Sequence, residues 1–374
     1  MKQTIVFILL IFFTGSMSGI DYSKTDKRAE SVPQNLKTAG DIARYLTKGL
    51  TSPTDKARVI YYWIAHAIRY DVAKMNSNDT YKDPRELVNQ VLKTRKGVCA
   101  HYATLFQACC QSVGVQSYII EGYTRQNDKT IFIAHAWNAV KIDSRFYTID
   151  ATWAAGFLNG KTYIQKFRDN FFLIDPAEFI KTHMPFDPIW QFLNNPVNPK
   201  EFETNDFSGL DKASGFNFSD SIKALSGLST LDKLIGENVR ITTSGPTNAL
   251  IRNHVRFNQQ GITTEKYNKA ADTFNKAVEK FNRYIVSKNK QFNNLTMTDD
   301  EILELLSSTR QLTESAGQTL PIVSSDNNDL NRLIDGLRKS INGMRKKLDT
   351  EDAFMSDYIK TLKTSRLRLF YKEI

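Results

Sequence analysis

Hydrophobic positions along the chain follow first a helical spacing, then an alternating one, then a helical one again. Ser52-Pro53-Thr54-Asp55 reads as a helix start, with a capping hydroxyl, a proline at the first helical position and a carboxylate in the first turn. Val59, Ile60, Trp63, Ile64, Ala67 and Ile68 then fall on one helical face. Asp83-Pro84-Arg85-Glu86 repeats the start and leads to Leu87, Val91 and Leu92. After Gly97 a third stripe, Cys99, Ala103, Phe106, Cys110 and Val113, runs in steps of 4, 3, 4 and 3 and stops at Gly114. This predicts a helix with Cys99 in its first turn, on the face that packs inward.

The pattern then changes. Residues 117–123, 131–142 and 145–152 read as strands, the last two joined by Asp143-Ser144 as a two-residue hairpin turn. Helices followed by an antiparallel meander predict an α+β domain over residues 46–198, preceded by a polar, weakly patterned segment, 19–45. Residues 199–262 are rich in Asn, Ser and Gly and read as an irregular connecting region. Beyond them Tyr267, Ala271, Phe274, Val278, Phe281 and Ile285 step by 4 and 3, as do Leu330, Ile334, Leu337, Ile341, Met344 and Leu348. Thr298-Asp299-Asp300-Glu301 is a capping box between them. Residues 263–374 are therefore expected to form an α-helical bundle of three or four helices. Its stripes are ordinary bundle core, with docking of a protein partner as the other use.

Composition narrows the function classes. The 374 residues carry 50 Lys and Arg against 40 Asp and Glu, a net charge of +10, but no compact basic block, so no nucleic-acid partner is expected. Lys2 precedes an unbroken apolar run over residues 5–13, and small residues follow at Gly15, Ser16, Ser18 and Gly19. This is the pattern of a cleavable signal peptide over residues 1–18. The run would cover about 14 Å as a helix, too short for a bilayer core. The expectation is a protein secreted or exported to the periplasm, with no integral membrane segment after cleavage. The three cysteines, Cys99, Cys109 and Cys110, are too few and too close for a disulfide framework. Cys99 and Cys109 would stand roughly 15 Å apart along a helix, and adjacent cysteines bridge only with strain, so at least one thiol is free. No C-x-x-C spacing is present, and no metal or cofactor is expected.

Candidate chemistry gathers on Cys99, His135 and Asp150. A cysteine at a helix N-terminus meets free N–H groups and the positive end of the helix dipole, which favour thiolate. A two-residue turn at Asp143-Ser144 makes paired positions sum to 287, which sets Asp150 opposite Trp137 and diagonal to His135 on one sheet face. A carboxylate so placed can orient the imidazole and fix its tautomer. Cys109 and Cys110 read as small hydrophobes. Trp137 and Trp153 flank the trio and are candidate substrate-binding walls, against the alternative of core packing.

Three stretches carry a family resemblance: Gly97-Val98-Cys99-Ala100-His101-Tyr102-Ala103, His135-Ala136-Trp137-Asn138-Ala139-Val140 and Phe146-Tyr147-Thr148-Ile149-Asp150-Ala151-Thr152-Trp153. In their order and context they resemble the transglutaminase-like superfamily of papain-type folds. Ile68-Arg69-Tyr70-Asp71 resembles the segment upstream of that core. Phe171-Phe172-Leu173, Pro176, Phe179-Ile180, His183-Met184-Pro185 and Trp190-Gln191 resemble the segment downstream of it in the kyphoscoliosis-peptidase-like branch. The resemblance covers roughly residues 50–195. It implies a helix with an N-terminal Cys packed on an antiparallel sheet, with Cys99 as nucleophile, His135 as general base and Asp150 as its orienting partner. The activity it implies is a thiol enzyme acting on peptide or carboxamide bonds of a protein or peptide substrate. Hydrolysis is favoured over crosslinking for want of an acceptor-site signature. The alternative is a non-catalytic scaffold that uses the same fold and the helical C-terminal region to dock partners.

Overall fold

The computed structural model describes residues 21–75, 83–210, 212, 215–293, 297–321 and 326–371. The signal peptide expected over residues 1–18 lies outside them. The chain divides into two compact units: Met1–Ser226 with Val239–Asn253, and Gly227–Asn238 with His254–Ile374.

The first unit opens with helices α1 (Ser23–Asp26), α2 (Ala39–Leu46), α3 (Pro53–Ala67), α4 (Pro84–Thr94) and α5 (Cys99–Ser112). A short parallel pair, β1 (Arg69–Tyr70) with β2 (Lys96–Gly97), lies between them. The helix starts fall where the caps put them, with Ser52 accepting from the Asp55 N–H and Asp83 from the Arg85 N–H. An antiparallel sheet follows, in the order β5 (Arg145–Ile149), β4 (Lys129–Ile142), β3 (Ser117–Gln126), β8 (His183–Pro185), with α6 (Ala151–Ala155), the hairpin β6 (Gly156–Asn159)–β7 (Thr162–Gln165) and α7 (Pro176–Phe179) between β5 and β8 in the chain. Asp143 and Ser144 take φ of 47° and 71°, the two left-handed residues that a tight hairpin turn requires. The β4–β5 ladder runs from Ile142↔Arg145 to Asn138↔Ile149 and every pair sums to 287.

Both sheet faces are buried. On one, Val140, Ile142 and Ile149 pack with Ile42 and Leu46 of α2, Ile60 and Ile64 of α3, and Leu105, Phe106, Cys109 and Cys110 of α5. The buried Asn138 amide pins α5 to the sheet by donating to the Ala103 carbonyl (3.0 Å) and the Tyr118 carbonyl (3.2 Å). On the other face, Ile120, Trp137, Ala139 and Phe146 pack against Phe179, Ile189, Phe192 and Ile222.

Two expected boundaries move. Helix α2 straddles the expected start of the domain at residue 46, because its buried Ile42, Ala43 and Leu46 belong to the same core as α3 and α5. The described residues of 199–262 are not an irregular connection: they hold α8 (Pro199–Thr204), α9 (Phe218–Leu225), α10 (Thr230–Thr243) and the start of α11 (Ala249–Asn289). Helices α8 and α9 are too short to show a period. Each is fixed by one or two buried residues, Phe202 of α8 edge-on to Tyr123 and Ile222 of α9 in the second sheet core.

Arg58 explains how the N-terminal segment is held. It interrupts the apolar face of α3 yet is 2% exposed, paired with Asp26 (2.8 and 2.6 Å) and Asp169, and covered by Tyr22 and Phe172. Arg58→Ala leaves Asp26 without its cation and strips the guanidinium from the Tyr22 ring, which keeps only its edge contact with Phe172. It should cost about 3 kcal/mol of unfolding free energy, read from urea melts.

In the second unit, Ala270, Phe274, Phe281 and Tyr284 of α11 pack with Ile302, Leu305 and Leu306 of α12 (Asp299–Thr319) and Ile334, Ile341, Met344 and Leu348 of α13 (Asn328–Lys360). Thr298 and Glu301 form the capping box that opens α12. No helix among the described residues is long and apolar enough to cross a membrane.

Candidate active site

Cys99 is the first residue of α5 and half-buried. A left-handed Arg95 (φ 55°) ends α4, and the two-residue strand β2 delivers the chain to the helix start. Val98 donates its N–H to His101 Nδ1 (3.3 Å), which ties down the first turn. Gly97 is required there, since a Cβ on it would stand 2.5 Å from the His101 Cβ. The Cys99 and Ala100 N–H groups precede the first intrahelical acceptor, whereas the His101 N–H already donates to the Val98 carbonyl (2.9 Å).

His135 lies on β4 and Asp150 follows β5 as the N-cap of α6 (Ala151–Ala155). The expected strand over 145–152 thus ends at Ile149, because the Asp150 side chain turns the chain into a helix. Its Oδ1 accepts from the N–H groups of Thr152 (2.8 Å) and Trp153 (3.0 Å). Its Oδ2 accepts from Nε2 of His135 (2.8 Å) and Nε2 of His183 (3.2 Å). With Nε2 engaged, Nδ1 is the His135 nitrogen left for the Cys99 sulfur, which interacts with the same ring.

The electrostatics derive from this shared carboxylate. Burial disfavours charge on His135, but the Asp150 carboxylate and the Cys99 sulfur outweigh it and push the ring up to about 10. Burial likewise opposes ionisation of Asp150, and the two imidazoles hold it well below the usual carboxylate range. His183 goes the other way: burial lowers it to about 4, although Asp150 pulls it up. Burial, then Cys99 and Asp150, raise the hydroxyl of the neighbouring Tyr70. Between pH 6.5 and 4 the unfolded chain takes up a proton at residue 183 that the folded chain does not, so stability falls as pH drops. Between 6.5 and about 10 the folded chain keeps a proton on His135 that the unfolded chain releases, so stability falls as pH rises. The urea midpoint of the first unit should peak near pH 6.5, and His135→Ala should flatten the alkaline decline.

The structure thus gathers Cys99, His135 and Asp150 at one point. It corrects the reading of Trp137, which is 1% exposed and cannot wall a cleft. Its indole packs beside His135 (5.9 Å between ring centres), Phe179 and His183, as the floor beneath the site. Trp153 keeps an exposed edge and packs on His183 (4.4 Å) and His135 (5.8 Å). Cys109 and Cys110 are fully buried free thiols inside the core, and burial raises Cys109 to about 12. His183 is the residue that sequence reasoning missed. It sits on a three-residue strand with no period, and the only signal was its place in the His183-Met184-Pro185 motif. Among the described residues, His135, Asp150 and His183 are also the one set of donors close enough to share a metal ion. Hydrogen bonding among the three accounts for their proximity.

Residues 40–151 match the model of the transglutaminase-like superfamily. Human Kyphoscoliosis peptidase is 33% identical over 161 residues, 40% of this chain and 24% of that protein. Hillarin of Drosophila melanogaster is 28% identical over 223 residues, 54% of this chain and 26% of its own length. The Lim and transglutaminase domain protein ltd-1 of Caenorhabditis elegans is 27% identical over 201 residues, 49% and 27% of the respective chains. The chain therefore spans about a quarter of the length of these relatives. A crystal structure of a TGase aligns at 18% identity with a TM-score of 0.25, over 41% of this chain and 37% of that one.

Proposed function

Taking as premise that residues 40–151 form a transglutaminase-like domain, we propose that the protein is a thiol enzyme acting on peptide or carboxamide bonds. The observation that carries the reading is the Asp150 carboxylate, which holds His135 by Nε2 and so leaves Nδ1 to Cys99. The Cys99 sulfur attacks the carbonyl carbon and the C=O electron pair moves to oxygen, where the Cys99 N–H at the start of α5 receives the charge. Collapse breaks the C–N bond, with the proton from His135 passing to the leaving amine. Water then attacks the thioester, gives its proton to His135 and releases the acid; an amine in its place yields an amide crosslink.

Mass spectrometry of peptides incubated with the enzyme and a small primary amine separates the three outcomes. Cleavage, deamidation and amine addition differ in mass, and all should vanish in Cys99→Ala. An unchanged product set in that variant refutes the reading.

The scaffold reading is favoured by one observation: residues 254–374 belong to a separately packed unit beyond the family match. In that case the wild type would turn over no peptide in the same assay.

A further inference from the structure

We propose that His183 is a positioning residue: protonated at Nε2, where it faces the carboxylate, and kept neutral by the Thr182 hydroxyl at Nδ1, it fixes the Asp150 carboxylate on His135. The proposal's catalytic consequence rests on the thiol-enzyme reading above; the tautomer does not.

The protonation pattern comes from hydrogen-bond counting. An ionised carboxylate only accepts, so the His183 Nε2 that lies 3.2 Å from Asp150 Oδ2 must carry its proton. Thr182 Oγ1 lies 2.8 Å from the other ring nitrogen, Nδ1, and 3.2 Å from the Phe179 carbonyl. Its single proton serves one of these. If it went to Phe179, Nδ1 would face the hydroxyl oxygen as a donor and His183 would be an imidazolium. The surroundings oppose that charge. The ring is 1% exposed, stacked on Phe179 at 3.9 Å and 17°, and flanked by Trp153 at 4.4 Å and Trp137 at 5.2 Å. The charged groups acting on it are Asp150 at the start of α6 and His135 on β4; the attraction of the first is offset by the repulsion of the second and by burial. The hydroxyl therefore donates to Nδ1.

The consequence reaches His135. Asp150 receives two backbone N–H groups on Oδ1 and two imidazole N–H groups on Oδ2, so both oxygens are saturated and the carboxylate has no free rotation. His135 is then pinned at Nε2 and aims Nδ1 at the sulfur. β8 can come close enough to supply His183 because Gly122 of β3, paired with Pro185, has no side chain.

Ring-nitrogen NMR on the full chain, with 15N-labelled histidine, tests this between pH 5 and 8. His183 should show a single neutral Nε2–H pattern throughout, and Thr182→Val, which keeps the carboxylate at Nε2 but removes the donor to Nδ1, should retain that pattern and move the Nδ1 resonance downfield; an unmoved resonance overturns the role of the hydroxyl. An imidazolium or an Nδ1–H pattern for His183 in the wild type at pH 7 overturns the proposal, whether or not the enzyme turns over a substrate. In kinetics, His183→Phe should lower kcat about tenfold with KM unchanged. It should also move the acid limb of the pH profile up by about one unit, the size of one hydrogen bond to a charged acceptor. His183→Gln, which restores an N–H donor, should recover most of both. A wild-type profile in His183→Phe overturns the proposal. If that variant fails to fold by circular dichroism, the wild-type and Thr182→Val spectra decide.

Discussion

Asn in place of Asp150 should lower kcat/KM for amide turnover by about 10³–10⁴, as loss of the carboxylate does where an acid orients a catalytic histidine. The reason lies in the four donors that converge on this side chain. The Asn oxygen is best spent on the Thr152 and Trp153 N–H groups, which hold the start of α6. Its NH₂ then faces Nε2 of both His135 and His183, and each ring must turn a lone pair toward it. His135 becomes the Nδ1–H tautomer and can no longer take a proton from sulfur. Steady-state kinetics with circular dichroism separates this from unfolding: the fold should survive because the helix cap is kept. A variant within tenfold of wild type would show that the carboxylate does not orient the histidine.

Gly122→Ala should be the most destabilising small substitution in the first unit. A Cβ at this position would overlap the Met184 carbonyl oxygen of β8 and stand 2.6 Å from Trp137 Cη2. Neither is the free end of a flexible chain, so β8 must separate from β3, taking His183 and the floor of the site with it. We expect a loss of about 3 kcal/mol, at the upper end of overpacking costs, and a matching fall in thiol-dependent activity. Gly336 of α13 has open space around it. There Ala should instead add about 0.5–1 kcal/mol to helix stability, which makes it the control. Urea unfolding of the two variants reads both signs.

Much of this site could be read from the residues because it is built from local devices. A proline-led cap, a tight turn and a 4-3-4-3 stripe fix where Cys99 and the β4–β5 register fall, without reference to distant contacts. Asp150 was legible by position but not by form: the register put it on a strand, and its own bonds to Thr152 and Trp153 made it a helix cap. The features that escaped were long-range. His183 acquires its role from β8 pairing across Gly122, Phe202 from packing edge-on to Tyr123, and Ile222 from covering the second sheet face, contacts that no local period encodes. The choice between cleft wall and core packing at Trp137 turns on the same kind of contact: the residues that bury it, Phe179 and His183, lie more than forty positions on.

The thiol-enzyme reading stands or falls on whether His135 activates the Cys99 sulfur. The rate of alkylation by iodoacetamide at pH 7, in wild type and His135→Ala, tests it most directly, since the buried Cys109 and Cys110 are shielded in the folded chain. One modified thiol per chain is expected, at Cys99, reacting at least about tenfold faster in the wild type. Equal rates in the two proteins would contradict it.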